Sequence, residues 1–204
     1  MQNKLRIGID LDGVIIDHTA HKLALARELG FVLEPWQTNT NLMSKFIPAE
    51  QYQAMKDALY MRMMDDTPAV EGALDFLEAL PGELFIVSAR KAESIRFVQD
   101  WMMRHGLYGL IPADRIFFCN NKYEKRGHCE RLGIDAFVDD QVKVLHNLPS
   151  SVRCILYDEH RIADKIALEQ RVEVAGSWKD FHTIVRRLAK RSWRQADTDD
   201  DRQE

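Results

Sequence analysis

Short apolar runs alternate with amphipathic segments along most of this chain of 204 residues. The apolar runs predict five strands, at residues 5–9, 83–87, 115–118, 136–138 and 152–157. Each run is apolar on both faces, which is typical of strands in a parallel sheet covered on both sides. Apolar residues at helical spacing predict helices over 94–104, 124–132 and 178–188. This alternation predicts an α/β fold with an open, Rossmann-like, doubly wound parallel sheet.

The segment from 17 to 70 interrupts this alternation, because it contains helical patterns and no strand pattern. One predicted helix covers 18–29 and ends before Gly30, and a second covers 48–64 before Pro68. We therefore expect an α/β core of residues 1–16 and 71–190 with a small helical cap, 17–70, inserted after the first strand. The polar tail, 191–204, is expected to be disordered.

Composition narrows the class of protein. An apolar content of 46% is enough for a buried core, and a formal net charge of −4 provides no basic field for binding a nucleic acid polymer. Three cysteines without a close pair suit a reducing compartment. Neither a leader-like start nor a membrane-length apolar run is present, so we expect a cytoplasmic protein without a membrane partner. Monomer and homodimer both remain open.

Polar residues with chemical potential follow four of the predicted strands. They are Asp10 and Asp12, Ser88, Lys125, and the pair Asp139-Asp140. The carboxyl ends of parallel strands lie at one edge of the sheet, where such folds bind their ligands. Strand formation by itself does not require this coincidence, so we expect these side chains to share one crevice.

The chemistry that fits this set is phosphoryl transfer. A phosphate monoester is dianionic, so an anionic nucleophile requires prior neutralisation of its charge, which carboxylate-bound Mg²⁺ provides. Lys125 adds a fixed positive charge, and the Ser88 hydroxyl can donate to a phosphate oxygen. One aspartate can attack phosphorus and a second can transfer the proton. The expected partner is a small phosphorylated substrate.

Each of these features also has an alternative in which it serves only the local structure. The acidic stretch after the first strand could be a simple turn, since Asp and Gly favour turns. Ser88 could cap the following helix. Lys122 competes with Lys125, because either lysine could instead be solvated. The Asp139-Asp140 pair could cap the next predicted helix, although two acids exceed what a cap needs.

The sequence specifies less clearly which residue makes a second contact with the phosphate and which residues surround the leaving group. Arg62 and Arg90 are candidates for contacting the phosphate, with a surface role as the alternative. Aromatic and methionine side chains of the predicted cap could stack on a nucleobase, but their helical spacing also suits the cap core. These side chains are Trp36, Phe46, Tyr52, Tyr60, Met61 and Met63.

The order of these motifs resembles the haloacid dehalogenase (HAD) superfamily of hydrolases with a C1 helical cap, over residues 4 to about 188. The resemblance implies that Asp10 is the nucleophile and that Asp12 is the general acid/base, with its backbone carbonyl also on Mg²⁺. It implies phosphate binding by Ser88 and Lys125, and completion of the metal site by the Asp139-Asp140 pair. Dehalogenating members lack the second acid, so Asp12 indicates a phosphatase or phosphotransferase.

A narrower similarity is to the 5′(3′)-deoxyribonucleotidase-like branch. It rests on residues 125–129, on Leu132-Gly133-Ile134-Asp135-Ala136-Phe137-Val138-Asp139-Asp140, and on the last strand followed by Arg171 and Trp178. It departs where the branch has a Tyr-Asn or similar pair and this chain has Glu159-His160-Arg161. The resemblance implies a Mg²⁺-dependent phosphomonoesterase that uses an aspartyl-phosphate and acts on a nucleoside monophosphate. The alternatives are another small phosphate ester, a phosphotransferase, or a non-catalytic protein that binds phosphorylated ligands.

Overall fold

The protein was analysed as a computed structural model, which describes the backbone of residues 4–200 and the side chains of residues 4–190. Within this range the chain forms one sheet of six parallel strands in the order β3-β2-β1-β4-β5-β6. The strands are β1 (Arg6–Ile9), β2 (Glu83–Ala89), β3 (Ile116–Cys119), β4 (Ala136–Asp139), β5 (Arg153–Tyr157) and β6 (Val172–Ala175). The predicted α/β class with an open parallel sheet is confirmed.

Helices connect the strands and cover both faces of the sheet. They are α1 (Thr19–Glu28), α2 (Ala49–Met61), α3 (Ala73–Ala79), α4 (Ala92–Arg104), α5 (Leu107–Leu110), α6 (Lys125–Leu132), α7 (Val142–Asn147) and α8 (Trp178–Asp200). Short 3₁₀ turns lie at Pro35–Thr38, Met43–Lys45, Met64–Asp66, Ala113–Arg115, Lys122–Glu124 and Ile162–Lys165. Among the described residues, no helix is both long and apolar enough to cross a membrane.

The two faces of the sheet bury separate hydrophobic clusters. Ile7 and Ile9 of β1 face the cluster that α3, α4, α5 and α8 cover, whereas Phe137 of β4 belongs to the cluster covered by α6 and α7. Gly8 is required between these isoleucines, because a β-carbon there would lie 2.3 Å from the Phe137 ring. The alternation along β1 therefore explains why the strand is apolar on both faces.

The strand order reverses direction around β1, and this determines where a ligand crevice forms. The chain proceeds from β1 outward through β2 to β3, then returns to place β4 on the other side of β1. The connections that follow β1 and β4 run to opposite faces of the sheet, which opens a crevice at the carboxyl ends of these two strands. Asp10 follows β1 and Asp139 ends β4, so both acids lie at this crevice.

The helical segment after β1 is connected to the core by two stretches of chain that lie side by side. The Asp17 backbone N–H donates to the Pro68 carbonyl (3.0 Å), and the Val70 N–H donates to the Ile15 carbonyl (2.8 Å). The segment has its own small apolar cluster, centred on Met43 and Met55. Its predicted role as a movable cap stays a prediction.

The structure contains elements for which the sequence patterns carried too little signal. Strand β6 has only four residues, and its two middle residues, Glu173 and Val174, are not buried, because the strand lies at the sheet edge. Helices α3, α5 and α7 have four to seven residues, too few for a clear helical period. Helix α8 continues to Asp200 into the tail for which we expected disorder, as the chain there lacks Gly and Pro. Residues 201–204 of that tail lie outside the described residues.

We expect Trp178→Phe to lower the free energy of unfolding by about 1–3 kcal/mol. The indole Nε1–H donates to the Val14 carbonyl (2.8 Å) inside the core, and its removal leaves that buried carbonyl without this hydrogen bond. Urea unfolding followed by circular dichroism measures this loss. Tyr123→Phe, at a side chain that is 57% exposed, is the matched control and should change stability by less than about 0.5 kcal/mol. Equal effects of the two substitutions would contradict the assignment.

Candidate active site

Three buried carboxylates meet at the crevice between β1 and β4. Asp10 directly follows β1, and its backbone N–H donates to the Val138 carbonyl of β4 (3.0 Å), which locks it beside that strand. Asp139 is the last residue of β4, and Asp140 comes next. One carboxylate oxygen from each of the three residues lies within 4.8 Å of those from the others. The sequence prediction that these acids converge is therefore met by the geometry.

The turn after Asp10 places Asp12 beside this cluster rather than in it. Leu11 points into the core with no exposed surface, and its carbonyl accepts the backbone N–H groups of Ile15 and Ile16 (both 2.9 Å). Gly13 has a φ of 80°, and a β-carbon there would lie 2.8 Å from an Asp140 carboxylate oxygen. Glycine is thus required both for the backbone conformation and for the close approach of Asp140.

Lys125 neutralises part of this negative charge. Its Nζ lies 2.9 Å from Asp10 Oδ1 and donates to Asp139 Oδ2 (2.7 Å), and its side chain is almost fully buried. Burial alone would lower the pKa of Lys125, but the carboxylates of Asp10 and Asp139 reverse this and raise it. The lysine is therefore a permanent cation. Lys122, the sequence alternative, is partly exposed and lies outside this group of ion pairs.

The two acids of the Asp139-Asp140 pair have different surroundings. Asp139 uses both oxygens, one for Lys125 and the other to accept the backbone N–H of Gln141 (2.8 Å). That N–H precedes α7, which begins at Val142, so the bond belongs to a turn and the helix-capping alternative is not observed for Asp139. Asp140 Oδ1 is buried without a hydrogen-bonding partner in the described part of the chain. Burial, together with the Asp139 carboxylate, raises the pKa of Asp140 to about 7. Asp140 thus has an unsatisfied acceptor facing a cluster with excess negative charge.

Ser88 lies at the carboxyl end of β2 and is completely buried. Its Oγ has no hydrogen-bonding partner among residues 4–190, so the alternative in which it caps the next helix is not observed. Burying an unpaired hydroxyl is unfavourable by about 1–3 kcal/mol, and such groups are usually paired with a ligand or water. Ser88 is thus available to an anion bound beside Asp10.

Asp12 is held by Arg90 and His18. Arg90 Nε donates to Asp12 Oδ2 (3.1 Å), its guanidinium also contacts Asp12 Oδ1, and His18 Nε2 lies 2.7 Å from Oδ1. Burial alone would raise the pKa of Asp12, but Arg90 and His18 outweigh it and lower the pKa. Arg90 is 2% exposed, which leaves no room for the surface role that the sequence left open.

Three residues of the helical segment reach the site; His18 and Lys22 were not anticipated, and Tyr60 was considered only for stacking on a nucleobase or for the cap core. His18 contacts Asp12, the Tyr60 ring lies under the Arg90 guanidinium (4.6 Å to the ring centroid), and Lys22 lies in the field of Asp140, which opposes the lowering of its pKa by burial. His18 and Lys22 are four residues apart at the start of α1, and therefore share a face. That spacing, directly after an acidic turn, is the signal that could have identified them.

Beside these acids lies an open cleft of about 420 Å³ between the helical segment and the core. Tyr52 and Tyr60 line it from the helical segment, and Ala89, Arg90 and Gln141 line it from the carboxyl ends of the strands. Its size is in the range of sites that bind small organic molecules. The predicted anion contact at Arg62 is not part of its lining, whereas Arg90 is.

The composition of the cluster suits a divalent cation. Its three carboxylates have Lys125 as their close cation, and an acceptor on Asp140 is left unsatisfied. Hard cations such as Mg²⁺ prefer carboxylate and carbonyl oxygens. The side chain of Asp12 stands outside the three-carboxylate group, so only its backbone could join a metal site there.

Comparison with known proteins relates the whole described core to one family. Residues 3–192 match the family described as "5′ nucleotidase, deoxy (Pyrimidine), cytosolic type C protein". No curated protein sequence matches the chain. The match therefore covers the strands, the helical segment and every site residue described above.

Solved structures share the fold at low sequence identity. A haloacid dehalogenase-like protein from Agrobacterium tumefaciens is 16% identical, with a TM-score of 0.62, 90% of this chain covered and 98% of that one. The HAD-hydrolase YfnB from Bacillus subtilis, bound to magnesium, is 13% identical, with a TM-score of 0.60 and coverages of 90% and 99%. A HAD hydrolase of family IA, variant 3, from Entamoeba histolytica is 14% identical, with a TM-score of 0.59 and coverages of 89% and 99%. These likenesses support the fold.

We expect Asp140→Asn to stabilise the metal-free protein at high pH. The pKa of Asp140 is about 7 in the folded protein and near its ordinary 3.8 when unfolded, so the folded state binds more protons between these values. The wild type therefore loses stability relative to the variant as pH rises from 4 to 7, by about 3 kcal/mol.

Urea unfolding in a chelator at several pH values measures this difference. Asp114→Asn, at an exposed acid, is the control, and its difference from the wild type should not vary with pH. A difference for Asp140→Asn that stays constant across the same pH range would show that the carboxylate is not destabilised by its neighbours.

Proposed function

This chain belongs to the 5′ nucleotidase, deoxy (Pyrimidine), cytosolic type C family, a phosphatase family of the HAD superfamily, and from that premise we propose that it hydrolyses nucleoside monophosphates with Mg²⁺ through an aspartyl-phosphate. The observation that carries the proposal is the buried group of Asp10, Lys125 and an unpaired Ser88 hydroxyl at the ends of adjacent strands. A structural role alone would leave neither the hydroxyl unpaired nor the carboxylates crowded. We place the reaction in the cytoplasm, since the cysteines that the structure describes are free and buried.

In the first step, an Asp10 oxygen attacks phosphorus and the bond from phosphorus to the ester oxygen breaks. Lys125 Nζ, 2.9 Å from Asp10 Oδ1, opposes the rise in the pKa of that carboxyl that burial and the neighbouring acids cause, and it is close enough to bind a phosphate oxygen as negative charge shifts. The Ser88 hydroxyl donates to another phosphate oxygen, which satisfies its hydrogen-bonding capacity. These contacts orient the phosphate for in-line attack.

Asp12 transfers a proton in both steps, first to the leaving alkoxide and then from water. It donates a proton to the leaving alkoxide, then accepts one from the water that attacks the phosphorylated Asp10, so that phosphate leaves and both carboxyls return to their first state. Arg90 and His18 keep Asp12 ionised in the unliganded protein. We propose that Arg90 turns from Asp12 to the substrate phosphate, which frees Asp12 to take up a proton.

The residues that would hold Mg²⁺ are Asp10, Asp140 and the backbone carbonyl of Asp12. Asp140 is favoured over Asp139 as the direct ligand, since Asp139 is already engaged by Lys125 and a backbone N–H, while Asp140 has an unsatisfied oxygen. Asp139 then acts by fixing Lys125. When bound, the ion neutralises phosphate charge in the transition state.

The helical segment provides the space for the leaving group. The cleft of about 420 Å³ can hold a nucleoside, with Tyr52 available to contact a base. Asn41 of this segment donates to the Asp140 carbonyl (2.8 Å) and accepts the Val142 N–H (3.1 Å), so it ties the segment directly to the loop that carries Asp140. We propose that these two bonds hold a closed cap, which excludes water during attack and opens for product release.

The substrate class is tested by phosphate release from a panel of nucleoside monophosphates and sugar phosphates. We expect turnover of deoxynucleoside monophosphates with Mg²⁺ and its loss in a chelator, because the carboxylate cluster alone repels a dianionic phosphate. Adding Mg²⁺ back restores it. Turnover of sugar phosphates without any nucleotide would overturn the substrate class, and absence of turnover for every ester would overturn the phosphatase mechanism.

The two acids are separated by their variants. Asp10→Asn should lower kcat by roughly 10³-fold or more, because no carboxylate remains to attack phosphorus. Asp12→Asn should lower kcat by about 10²–10⁴-fold and accumulate phosphorylated protein, which intact mass spectrometry detects as an addition at Asp10.

Asp114→Asn, at an exposed acid outside the site, controls for changes of charge. Near-normal activity of Asp10→Asn, with deamidation excluded by mass, would reject the nucleophile assignment. Failure of Asp12→Asn to accumulate phosphoprotein under burst conditions would reject the role given to Asp12.

A further inference from the structure

The cleft beside the acid cluster is lined by an excess of positive charge. Its lining includes five cationic residues and only two acidic ones, Asp57 and Glu93. The chain as a whole has a formal net charge of −4. The cationic residues are Lys56, Arg90, Lys91, Lys122 and Lys143. A local field opposite in sign to that of the whole protein attracts an anion to this place.

Two of these cations are engaged within the protein, and three remain for a ligand. Arg90 pairs with Asp12, and Lys91 lies 3.3 Å from Asp57. Among residues 4–190, Lys56, Lys122 and Lys143 form no ion pair. They come from different elements, α2, the turn after β3 and α7 respectively. Such convergence from separate parts of the chain is typical of a binding site more than of one solvated helix face.

The lysines also oppose one another, which indicates a missing counter-charge. The pKa of Lys56 is lowered by burial and by the positive charges of Lys91 and Lys122, with Asp57 as the opposing influence. The Lys56 stem packs over the Tyr52 ring, with Nζ 5.0 Å from the ring centroid. Its ammonium is thereby held on the wall of the cleft beside an aromatic face.

The attacked phosphate does not account for this charge. Asp10, Ser88 and Lys125, the residues assigned to that phosphate, do not line the cleft, which begins beside them at Ala89 and Arg90. A neutral nucleoside placed in the cleft would leave the three lysines without a partner. The space thus suits a leaving group that has an anionic group of its own.

We propose that the cleft binds a second anionic group on the leaving group, and that the preferred substrate is a phosphate monoester bearing a further phosphate or carboxylate. This inference rests on the proposed phosphatase function and names its substrate class more closely. Lys56, Lys122 and Lys143 bind the second anion, and Tyr52 contacts the apolar part that joins the two charged groups. Arg90 lies between the two sites and can face either.

Matched substrate pairs test the proposal and distinguish the two sources of the second charge. One pair is thymidine 5′-monophosphate and thymidine 3′,5′-bisphosphate, and the other is glycerol 3-phosphate and 3-phosphoglycerate. In at least one pair, kcat/KM should be roughly ten-fold higher for the doubly anionic member, mainly through KM, and the preference should shrink in added salt. A preference in the thymidine pair alone identifies a phosphate, and in the glycerol pair alone a carboxylate.

The variant Lys56→Gln/Lys122→Gln should reduce this preference to about two-fold or less, with Lys143→Gln as a second, single substitution that avoids the packing on Tyr52. Lys179→Gln, at an exposed lysine of α8 outside the cleft, is the control and should keep the full preference. An equal kcat/KM for both members of both pairs, or a preference that all lysine variants retain, would overturn the proposal.

Binding to Asp10→Asn with Mg²⁺, measured by calorimetry, separates this failure from failure of the proposed function. If the wild type turns over no ester, tighter binding of the doubly anionic member to Asp10→Asn would leave the anion site standing and reject the phosphatase mechanism. Turnover of thymidine 5′-monophosphate with no preference in either assay would do the reverse.

Discussion

The ion pairs of Lys125 with Asp10 and Asp139 are the constraint on which the site depends. Three carboxylates within 4.8 Å of one another in a dry crevice repel strongly, and Lys125 is the cation that contacts two of them directly. Lys125, on α6, can contact both acids because the order of the parallel strands places β4 beside β1. The remaining excess of negative charge makes the site receptive to a divalent cation. The crowded carboxylates thus lower the stability of the folded protein but suit the chemistry proposed for the site.

The site is assembled from parts that the fold holds with different rigidity. Asp10, Ser88 and Asp139 belong to strand ends in the sheet, so their positions follow from backbone pairing. His18, Tyr60 and Asn41 come from the helical segment, which joins the core through one pair of adjacent connections. The end at which we propose that the phosphate binds is therefore held by the sheet, whereas the end proposed for the leaving group is formed by the helical segment. This division suits an enzyme family that keeps one chemistry and varies its substrates.

The sequence motifs predicted the acids and the fold for a physical reason. Asp10, Asp12 and the Asp139-Asp140 pair follow short apolar runs, and a strand end aims the residues after it at a predictable edge. Leu11, between Asp10 and Asp12, is completely buried, because successive side chains alternate in direction where the strand ends. Strand β6 and helix α7 were not predicted, because each is too short to show the hydrophobic periodicity of a strand or a helix. The roles of the site residues remain proposals.

The sequence by itself determined the order of the first five strands and of the longer helices, and the residues at the strand ends, since periodicity and turn chemistry are local properties. Only the tertiary structure decided which partner each charge meets. It placed Arg90 and His18 on Asp12, distinguished Asp140 from Asp139, chose Lys125 over Lys122 and brought three unpaired lysines to one cleft. These pairings join residues as much as 115 positions apart, as Asp10 and Lys125 are. Local patterns carry no information on such distances, because packing sets them.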